Sequence, residues 1–322
     1  MIFIDRTETN PYFNIAAEEY VLSNFKEDVL MLWESKNSVI LGKHQNAFAE
    51  INYPYLINNR IPLIRRISGG GTVFHGKGNL NLTVIRTSNG KNGLVNFREF
   101  TEPLINFLLG LGVEAQFEGK NNLRLEGLKF SGNSAHIFKN RVMHHGTILF
   151  DANLNQIDEI INLKSNSFHD KAVKSIRANV TNLKHYLPTG TTYLIFKQFL
   201  KEYLFKHYNI KEVRSFTKLN KNEILRLMQE RYKSWNWNFG YSPAFEFNNK
   251  ISVGESEIKC LLKIKNAIVL EAEINKLGVR IDLIEKAILS KKYSQVSIRT
   301  VLLDAGLSSE EITVYLKLFG LA

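Results

Sequence analysis

Residues Arg65–His75, RRISGGGTVFH, are the most informative stretch of this chain. Three consecutive glycines lack Cβ atoms, so the backbone can adopt positive φ and bring its N–H groups close to a ligand. The two arginines before them are permanently charged, forked donors that suit carboxylate or phosphate. The stretch therefore predicts a wall against which an anionic ligand binds. The plainer alternative is a glycine-rich hairpin turn with solvated arginines.

Two common nucleotide-binding motifs come close to this region without matching it. Residues 71–77 fit G-x-x-x-x-G-K, but Gly78 stands at the next position, where a P-loop has Ser or Thr. Residues 72–74 and 79–85 have the character of strands, so no helix opens after the lysine. The glycines do not form G-x-G-x-x-G either, which disfavours a Rossmann site. We expect a glycine loop inside a β-rich region.

Composition places the chain among globular proteins. Its 322 residues are 44% hydrophobic and 11% aromatic, which suffices for a buried core. No run of about eighteen apolar residues occurs, so neither a transmembrane helix nor a membrane partner is expected. The first residues lack a basic leader with an apolar core, and Cys260 is the only cysteine. A cytoplasmic enzyme is the simplest interpretation.

The chain is basic, with a net charge of +11 from 42 Lys+Arg and 31 Asp+Glu. This balance favours acidic partners. The basic residues are spread along the chain, without a basic helix, an RNP-type aromatic motif or zinc-finger spacing. We therefore expect a solvated basic surface or an acidic protein partner, and no nucleic acid.

Strand-like and helix-like segments alternate without a regular βαβ rhythm, which predicts an α+β fold with mixed sheets. Asn10-Pro11 is an N-cap signal for a helix over residues 12–25. Gly112 marks the end of a helix over 97–111 that contains Pro103. Further predictions are strands at 29–33, 38–42 and 142–151, a hairpin over 123–131 turning at Glu126-Gly127, and helices near 154–163, 191–207 and 222–233.

We place a domain boundary between residues 247 and 248. The segment 248–322 is then a small C-terminal α+β domain, for which the pattern predicts two strand-like runs and two helices. Residues 1–247 form the larger domain with the glycine loop.

Three further segments accompany the glycine loop. They are GKHQN at residues 42–46, KFSGNSA at 129–135, and HHGT at 144–147, followed by SIR at 175–177 and VTNL at 180–183. Each has an ordinary explanation when taken alone. A strand lysine usually faces solvent, and a His-His pair is more often a hydrogen-bonded strand feature than a metal site.

In this order and spacing, the motifs resemble those of the lipoate–protein ligase A family, in its two-domain bacterial form. That family shows R-R-x-S-G-G-G-x-V-F-H-x-x-G-N, G-R-N-D, K-x-S-G-x-A, H-H-G-T and S-x-R-x-x-V-T-N-L. The counterparts here are residues 65–79, 119–122, 129–135, 144–147 and 175–183. The resemblance runs from the N-terminal helix through Pro243. It implies a class II synthetase/biotin ligase-like catalytic domain over 1–247 and an accessory domain over 248–322.

The resemblance also implies an activity in two steps. Lipoate and ATP, with Mg²⁺, give lipoyl-AMP and pyrophosphate, and the lipoyl group then passes to a specific lysine of an acceptor. Acceptors in the family are the lipoyl domains of 2-oxoacid dehydrogenase acyltransferase subunits and the glycine-cleavage H protein. No protein residue is assigned as a metal ligand.

The family's site residues carry over to matching positions. Lys129 would be catalytic, holding both the lipoyl carbonyl and the α-phosphate, and burial beside these anions would keep it charged. The implied ATP-binding residues are Arg66, Gly69, Gly70, Gly71, Thr72, Val73, Phe74, Asn79, Asn121 and Lys129. The implied lipoate-binding residues are Ser68, Gly70, His75, Lys129, Ser131, Gly132 and His145.

The chain departs from the family at three positions. Lys120 and Asn122 replace Arg and Asp of G-R-N-D, and the lost negative charge bears on metal placement. Lys43 stands where many members have arginine, so a bidentate contact is weakened while the charge remains. None of these changes touches Lys129 or the glycine loop.

Three other functions are alternatives to that of a lipoate–protein ligase. An ATP-independent octanoyl- or lipoyl-transferase often uses a cysteine, but Cys260 lies outside the presumed catalytic domain. A biotin ligase is disfavoured because its G-R-G-R-x-G-R loop is absent. A non-catalytic lipoate-binding relative, with Asn122 marking lost activity, is disfavoured by the retention of Lys129.

Overall fold

A computed structural model of the chain describes residues 1–87, 95–161 and 166–322, which pack as two compact units. Unit 1 comprises Met1–Lys43, Ile64–Ile157 and Ile176–Lys233, and unit 2 comprises His44–Leu63, Asp158–Ser175 and Ser234–Ala322. The predicted boundary at 247/248 falls inside a continuous strand, Phe245–Val253. The residues of the two units therefore differ from those of the two predicted domains. The domains stay predictions.

The described residues form short strands and helices throughout. The strands are β1 (Ile2–Ile4), β2 (Val29–Trp33), β3 (Ser38–Leu41), β4 (Leu63–Arg65), β5 (Val73–His75), β6 (Asn79–Thr87), β7 (Gln116–Glu118), β8 (Asn122–Leu125), β9 (Leu128–Phe138), β10 (Arg141–Leu149), β11 (Phe168–Asp170), β12 (Val213–Arg214), β13 (Phe245–Val253), β14 (Ser256–Lys265), β15 (Ile268–Lys276) and β16 (Val279–Arg280). The helices are α1 (Pro11–Asn24), α2 (Ala47–Glu50), α3 (Tyr53–Asn58), α4 (Phe97–Gly110), α5 (Leu154–Ile160), α6 (Tyr193–His207), α7 (Lys218–Leu227), α8 (Asp282–Ile288), α9 (Gln295–Asp304) and α10 (Ser309–Leu318).

Unit 1 is organised by an eight-stranded mixed sheet of order β12-β1-β2-β6-β10-β9-β8-β7. Strand β1 runs parallel to β12 and β2, and the other neighbours are antiparallel. Helices α4 and α6 bury their apolar faces against this sheet, where Phe107 and Phe196 pack with Leu82 and Phe130. This core fixes β9 and β10, the strands that carry the KFSGNSA and HHGT motifs.

The strongest sequence signals are confirmed. Helix α1 begins where expected, because the Asn10 side chain accepts hydrogen bonds from Tyr12 N and Phe13 N. Helix α4 continues through Pro103 and is capped by Asn96. The β8–β9 hairpin turns at Glu126 and Gly127, both at positive φ, as a two-residue hairpin loop favours. The helix predicted at 154–163 ends as α5 at Ile160, and residues 162 and 163 lie outside the described part of the chain.

The glycine loop joins β4 to β5 in a small sheet of order β4-β3-β5. Strand β3 is fully buried and pairs antiparallel with β5. Backbone N–H groups of Arg66 and Lys43 then donate to Leu41 O and Ser68 O, each at 2.9 Å. Lys43, at the start of the GKHQN segment, is therefore a neighbour of the glycine loop.

Unit 2 is built on an antiparallel sheet of order β11-β13-β14-β15-β16. Phe48 of α2 packs in it among the aromatic rings of Tyr53, Phe239, Phe245 and Tyr293. The count of two strand-like runs and two helices after residue 247 was wrong, because β13–β16 and α8–α10 are found there. Helix α8 is seven residues long and lacks a side-chain N-cap, so its sequence signal is weak.

No helix in the described ranges is both long enough and apolar enough to cross a membrane.

Candidate functional site

Arg66 clamps the glycine loop from the inside. Its guanidinium donates to Gly69 O at 2.5 Å, Gly71 O at 2.8 Å and Ile40 O at 3.1 Å, and its Nε donates to Ser68 Oγ at 3.0 Å. The side chain is buried, and burial lowers its pKa to about 10, an effect that a nearby carboxylate partly offsets. The donors of Arg66 thus set the shape of the loop.

Glycine is required at one loop position and leaves open space at another. Gly70 has φ +87°, and a Cβ there would lie 3.1 Å from Nη2 of Arg66. Around the corresponding Cβ position of Gly69, no atom of the described residues lies within 4 Å. The loop backbone is therefore strained for other residues at Gly70 and accessible to a ligand at Gly69.

Behind the loop, Ser68, His145 and Glu18 form a buried hydrogen-bonded chain. Ser68 Oγ lies 2.6 Å from His145 Nε2, and His145 Nδ1 lies 3.0 Å from Glu18 Oε2. Glu18 also accepts from Thr83 Oγ1 at 2.6 Å, and Thr83 accepts from Trp33 Nε1 at 2.9 Å. Burial opposes ionisation of Glu18, but His145, Thr83 and a nearby arginine together hold its pKa below the ordinary value.

Lys129 lies on β9, inside the large sheet, and is half-buried. Its backbone N donates to Asn179 O at 2.8 Å, and its carbonyl accepts from Thr181 N at 3.0 Å, so the VTNL motif runs beside it. A Cβ on Gly132 would lie 2.8 Å from Lys129 Nζ. Glycine at position 132 therefore makes room for the ammonium group.

The surroundings of Lys129 are cationic. Burial lowers its pKa, and Arg124 and Arg66 lower it further. The anions expected to keep Lys129 charged are those of the ligands; among the protein groups, the charges that act on it are those of Arg124 and Arg66. An anionic ligand would reverse this and raise the pKa of Lys129.

Ser134 connects the two parts of the site. It lies on β9, as Lys129 does, and its Oγ donates to Gly69 O at 2.8 Å. The glycine loop and the Lys129 strand are thus held together by a direct hydrogen bond.

The remaining predicted residues occupy mostly interior positions, and their contacts with ligands stay predictions. Burial lowers the pKa of His75 to about 3, and its ring contacts Trp33 edge-on at 5.5 Å. Asn79 donates to Asn81 Oδ1 at 3.0 Å. The side chains of Thr72, Phe74, His75, Asn79 and Ser131 are buried, whereas those of Val73 and Asn121 are partly exposed.

His144, the other histidine of the pair, packs against helix α4. It stacks on Phe100 and accepts from Asn96 N at 3.3 Å, so it supports the start of α4. Burial lowers its pKa to about 4.

The described residues do not assemble a metal site of their own, since no group of three His, Cys, Asp or Glu side chains lies together among them. Asn121 and Asn133 bond each other's backbone across the hairpin base, so Asn121 is engaged by the protein. Mg²⁺ stays a prediction.

Sequence reasoning missed Glu18, Ser134 and Arg124. Glu18 had one signal: with Asn14, four residues earlier, it places two polar side chains on the buried face of α1. Arg124 pairs with Lys129 across the hairpin, next to the pair Leu125 and Leu128 that closes the turn.

Cys260 offers no reactive thiol. It is buried on β14, and burial raises its pKa to about 12. A thiolate nucleophile is disfavoured at that pKa.

The structure thus holds a glycine loop against the strand that carries Lys129, and the charged groups acting on Lys129 are arginines. Comparison with known proteins gives the family. The chain belongs to the lipoyl protein ligase A/B catalytic domain family, whose model matches residues 10–205. It is 34% identical over 310 residues to the lipoate–protein ligase LplJ of Bacillus subtilis, covering 94% of this chain and 93% of that protein.

Two solved structures share the fold. A lipoate–protein ligase A bound with ATP superposes with a TM-score of 0.65 at 22% identity, covering 75% of this chain and 100% of that one. A bipartite lipoate–protein ligase studied with its E2 lipoyl domain, from Thermoplasma acidophilum, gives 0.65 at 22% identity, covering 74% and 96%. The predicted family resemblance and the predicted α+β fold are confirmed, and the relatives support a ligase function.

Proposed function

We propose that this chain activates lipoate with ATP as lipoyl-AMP and transfers the lipoyl group to a lysine of an acceptor protein. The observation that carries the proposal is the half-buried Lys129 ammonium, which lies in the field of Arg124 and Arg66. No carboxylate of the described residues forms an ion pair with Lys129. Bringing two anions together requires such an unneutralised cation.

In the first step, a carboxylate oxygen of lipoate attacks the α-phosphorus of ATP. The bond from that phosphorus to the bridging oxygen breaks, and pyrophosphate leaves. Lys129 holds the attacking carboxylate and the α-phosphate together, while N–H groups of Gly69–Gly71 supply further donors. Arg66 contributes through the loop that it shapes. The ATP-bound lipoate–protein ligase A of the same fold supports ATP as the second substrate.

In the second step, the acceptor lysine attacks the lipoyl carbonyl as a neutral amine. An amide bond forms, the bond to the phosphate oxygen breaks, and AMP leaves with the electron pair while the amine releases its proton. Lys129 stabilises the carbonyl oxygen as negative charge develops on it. No step is assigned to Mg²⁺, because the described residues provide no donor set for it.

The proposed acceptors are lipoyl domains of 2-oxoacid dehydrogenase acyltransferase subunits and the glycine-cleavage H protein. The Thermoplasma acidophilum ligase, with its E2 lipoyl domain, supports the first of these. The net charge of +11 suits an acidic acceptor surface.

The test is lipoate-dependent exchange of labelled pyrophosphate into ATP, with Mg²⁺ and the purified chain alone. Exchange would establish adenylation. Absence of exchange, with lipoate still bound, would contradict adenylation and favour an ATP-independent transferase or a lipoate-binding relative.

A further inference from the structure

Glu18 is a buried carboxylate to which neither proposed step assigns a role. It is 1% exposed and lies in the middle of α1. An ionised carboxylate is costly in the interior unless charged or hydrogen-bonded partners compensate it. Glu18 has such partners in Thr83 and His145.

The direction of each hydrogen bond near Glu18 follows from which groups can donate. Trp33 Nε1 is only a donor, so Thr83 Oγ1 accepts from it and turns its own hydrogen toward Glu18. Glu18, as a carboxylate, only accepts. The proton of the facing imidazole nitrogen, Nδ1 of His145, therefore points to Glu18.

At the other end of this series of hydrogen bonds, the bond between Arg66 and Ser68 also has a fixed direction. Arg66 Nε can only donate, so Ser68 Oγ accepts from it. Ser68 Oγ, which still has a second lone pair and its own hydrogen, lies 2.6 Å from Nε2 of His145. One uninterrupted series of hydrogen bonds therefore joins Glu18 to Arg66.

Serine, histidine and carboxylate are connected here in the order of a hydrolase triad. Two features argue against nucleophilic attack by Ser68. Its side chain is 0% exposed, and its hydroxyl is already hydrogen-bonded by Arg66 and His145. The arrangement orients groups within the protein and does not present a nucleophile to a ligand.

Arg66 is the member of this hydrogen-bonded series that contacts the glycine loop. The guanidinium whose Nε bonds Ser68 also donates to Gly69 O and Gly71 O. We propose that Glu18 is a positioning residue for the ligase reaction. Through His145 and Ser68 it orients Arg66, and thereby holds the Gly69–Gly71 backbone in the shape that receives the anionic reactants. This inference rests on the proposed function.

The first test is Glu18→Gln, which keeps the size of the side chain and removes its charge. Pyrophosphate exchange should lose about tenfold to a hundredfold in kcat/KM, as expected for loss of a hydrogen bond to a charged group. Glu19→Gln is the matched control, because Glu19 is adjacent on α1 and bonds Arg231 and Tyr232 instead. It should keep wild-type exchange.

A double-mutant cycle separates positioning from general damage. If Glu18 acts through Ser68, Glu18→Gln combined with Ser68→Ala should be no slower than the slower single variant. In ¹⁵N NMR spectra of labelled histidine, the Nδ1–H form of His145 should dominate in the wild type and lose population in Glu18→Gln. Should Glu18→Gln fail to fold, His145→Gln breaks the same chain, and the cycle is run with that variant.

The outcomes distinguish this inference from the proposed function. Absence of exchange in the wild type refutes the proposed function itself. Wild-type exchange with unchanged kinetics in Glu18→Gln, or equal losses in Glu18→Gln and Glu19→Gln, overturns the role of Glu18. Additive losses in the double variant overturn the connection through Ser68.

Discussion

Arg66 is a buried cation and Lys129 a half-buried cation of the same unit, and the two side chains differ in what they contact. The guanidinium of Arg66 donates to carbonyls of the glycine loop and to Ser68, so its charge is used within the fold. Lys129 lies over Gly132 on the neighbouring sheet, and the charges that act on it are those of other cations.

The difference follows from the chemistry of the two side chains. A guanidinium has a planar fork of donors that can satisfy several carbonyls at once, which suits it to shaping a loop. An ammonium is a compact point charge with free rotation, which suits it to following an oxygen whose charge changes during a reaction. We therefore expect substitutions at Lys129 to affect chemistry and substitutions at Arg66 to affect both chemistry and stability.

The largest expected effect is that of Lys129→Ala on adenylation. Pyrophosphate exchange should fall by about a hundredfold to a thousandfold, because a group aimed at developing charge is lost. The far-UV circular dichroism should not change. Lys77→Ala, at an exposed lysine near the same loop, should retain wild-type exchange. Retained exchange in Lys129→Ala would refute the assignment of Lys129.

Arg66→Lys keeps the charge and removes the fork. We expect exchange to fall by about tenfold to a hundredfold and the thermal midpoint to fall with it, since several bonds to loop carbonyls are lost. Arg141→Lys is the control, at a buried arginine of β10 that donates to Glu27 O. If both variants lose stability but only Arg66→Lys loses exchange, the loop-shaping role is supported; equal exchange in the two would contradict it.

Gly69 and Gly70 differ in how closely the surrounding atoms approach them, so alanine at the two positions should have different effects. Gly70→Ala places a Cβ at φ +87° and 3.1 Å from Arg66 Nη2, so it should destabilise the chain by about 1 kcal/mol or more and lower exchange. Gly69→Ala meets open space and should have a smaller effect on the unfolding midpoint. Chemical denaturation of both variants measures the difference. Equal destabilisation would show that the contact with Arg66 does not constrain the loop.

The smallest effect should be a gain in stability when Lys129 is replaced. Its pKa in the folded chain is lower than the ordinary value of 10.5, so the unfolded chain binds the extra proton between these two values. Stability therefore rises with pH through that window, and the penalty of a charged Lys129 is fully present below the lowered pKa. Lys129→Met should raise the midpoint by roughly 2 °C at pH 7.

The same reasoning fixes how that gain depends on pH. The advantage of Lys129→Met over the wild type should shrink as the pH rises through the lowered pKa, because the wild-type lysine then becomes neutral in the folded state. Differential scanning calorimetry from pH 7 to pH 10 tests this. A midpoint for Lys129→Met below that of the wild type at pH 7 would contradict the sign.

The elements best predicted from sequence have a local cause. The Asn10 cap, the Glu126-Gly127 turn and the glycine loop each depend on a few neighbouring residues whose backbone preferences are strong. The motif order also indicated which segments come together, and the structure holds the strand that carries Lys129 to the glycine loop through Ser134.

What sequence did not predict depends on distant pairing. Glu18 and His145 are 127 positions apart, and they meet because of how α1 packs and how β10 is placed in the sheet. The cationic field at Lys129 includes Arg66, which comes from the glycine loop and not from the hairpin that carries Lys129. Several short elements of unit 2 were missed because their caps and periodicity are weak.

The state of Cys260 has a consequence for the proposed substrate. Lipoate carries a five-membered cyclic disulfide, which any accessible thiolate can open by exchange. The only thiol of this chain is buried, with a pKa raised to about 12, so it contributes almost no thiolate at neutral pH. A protein of this composition can hold a reactive disulfide ring without forming a mixed disulfide with it, even in a reducing medium where its own cysteine stays unoxidised.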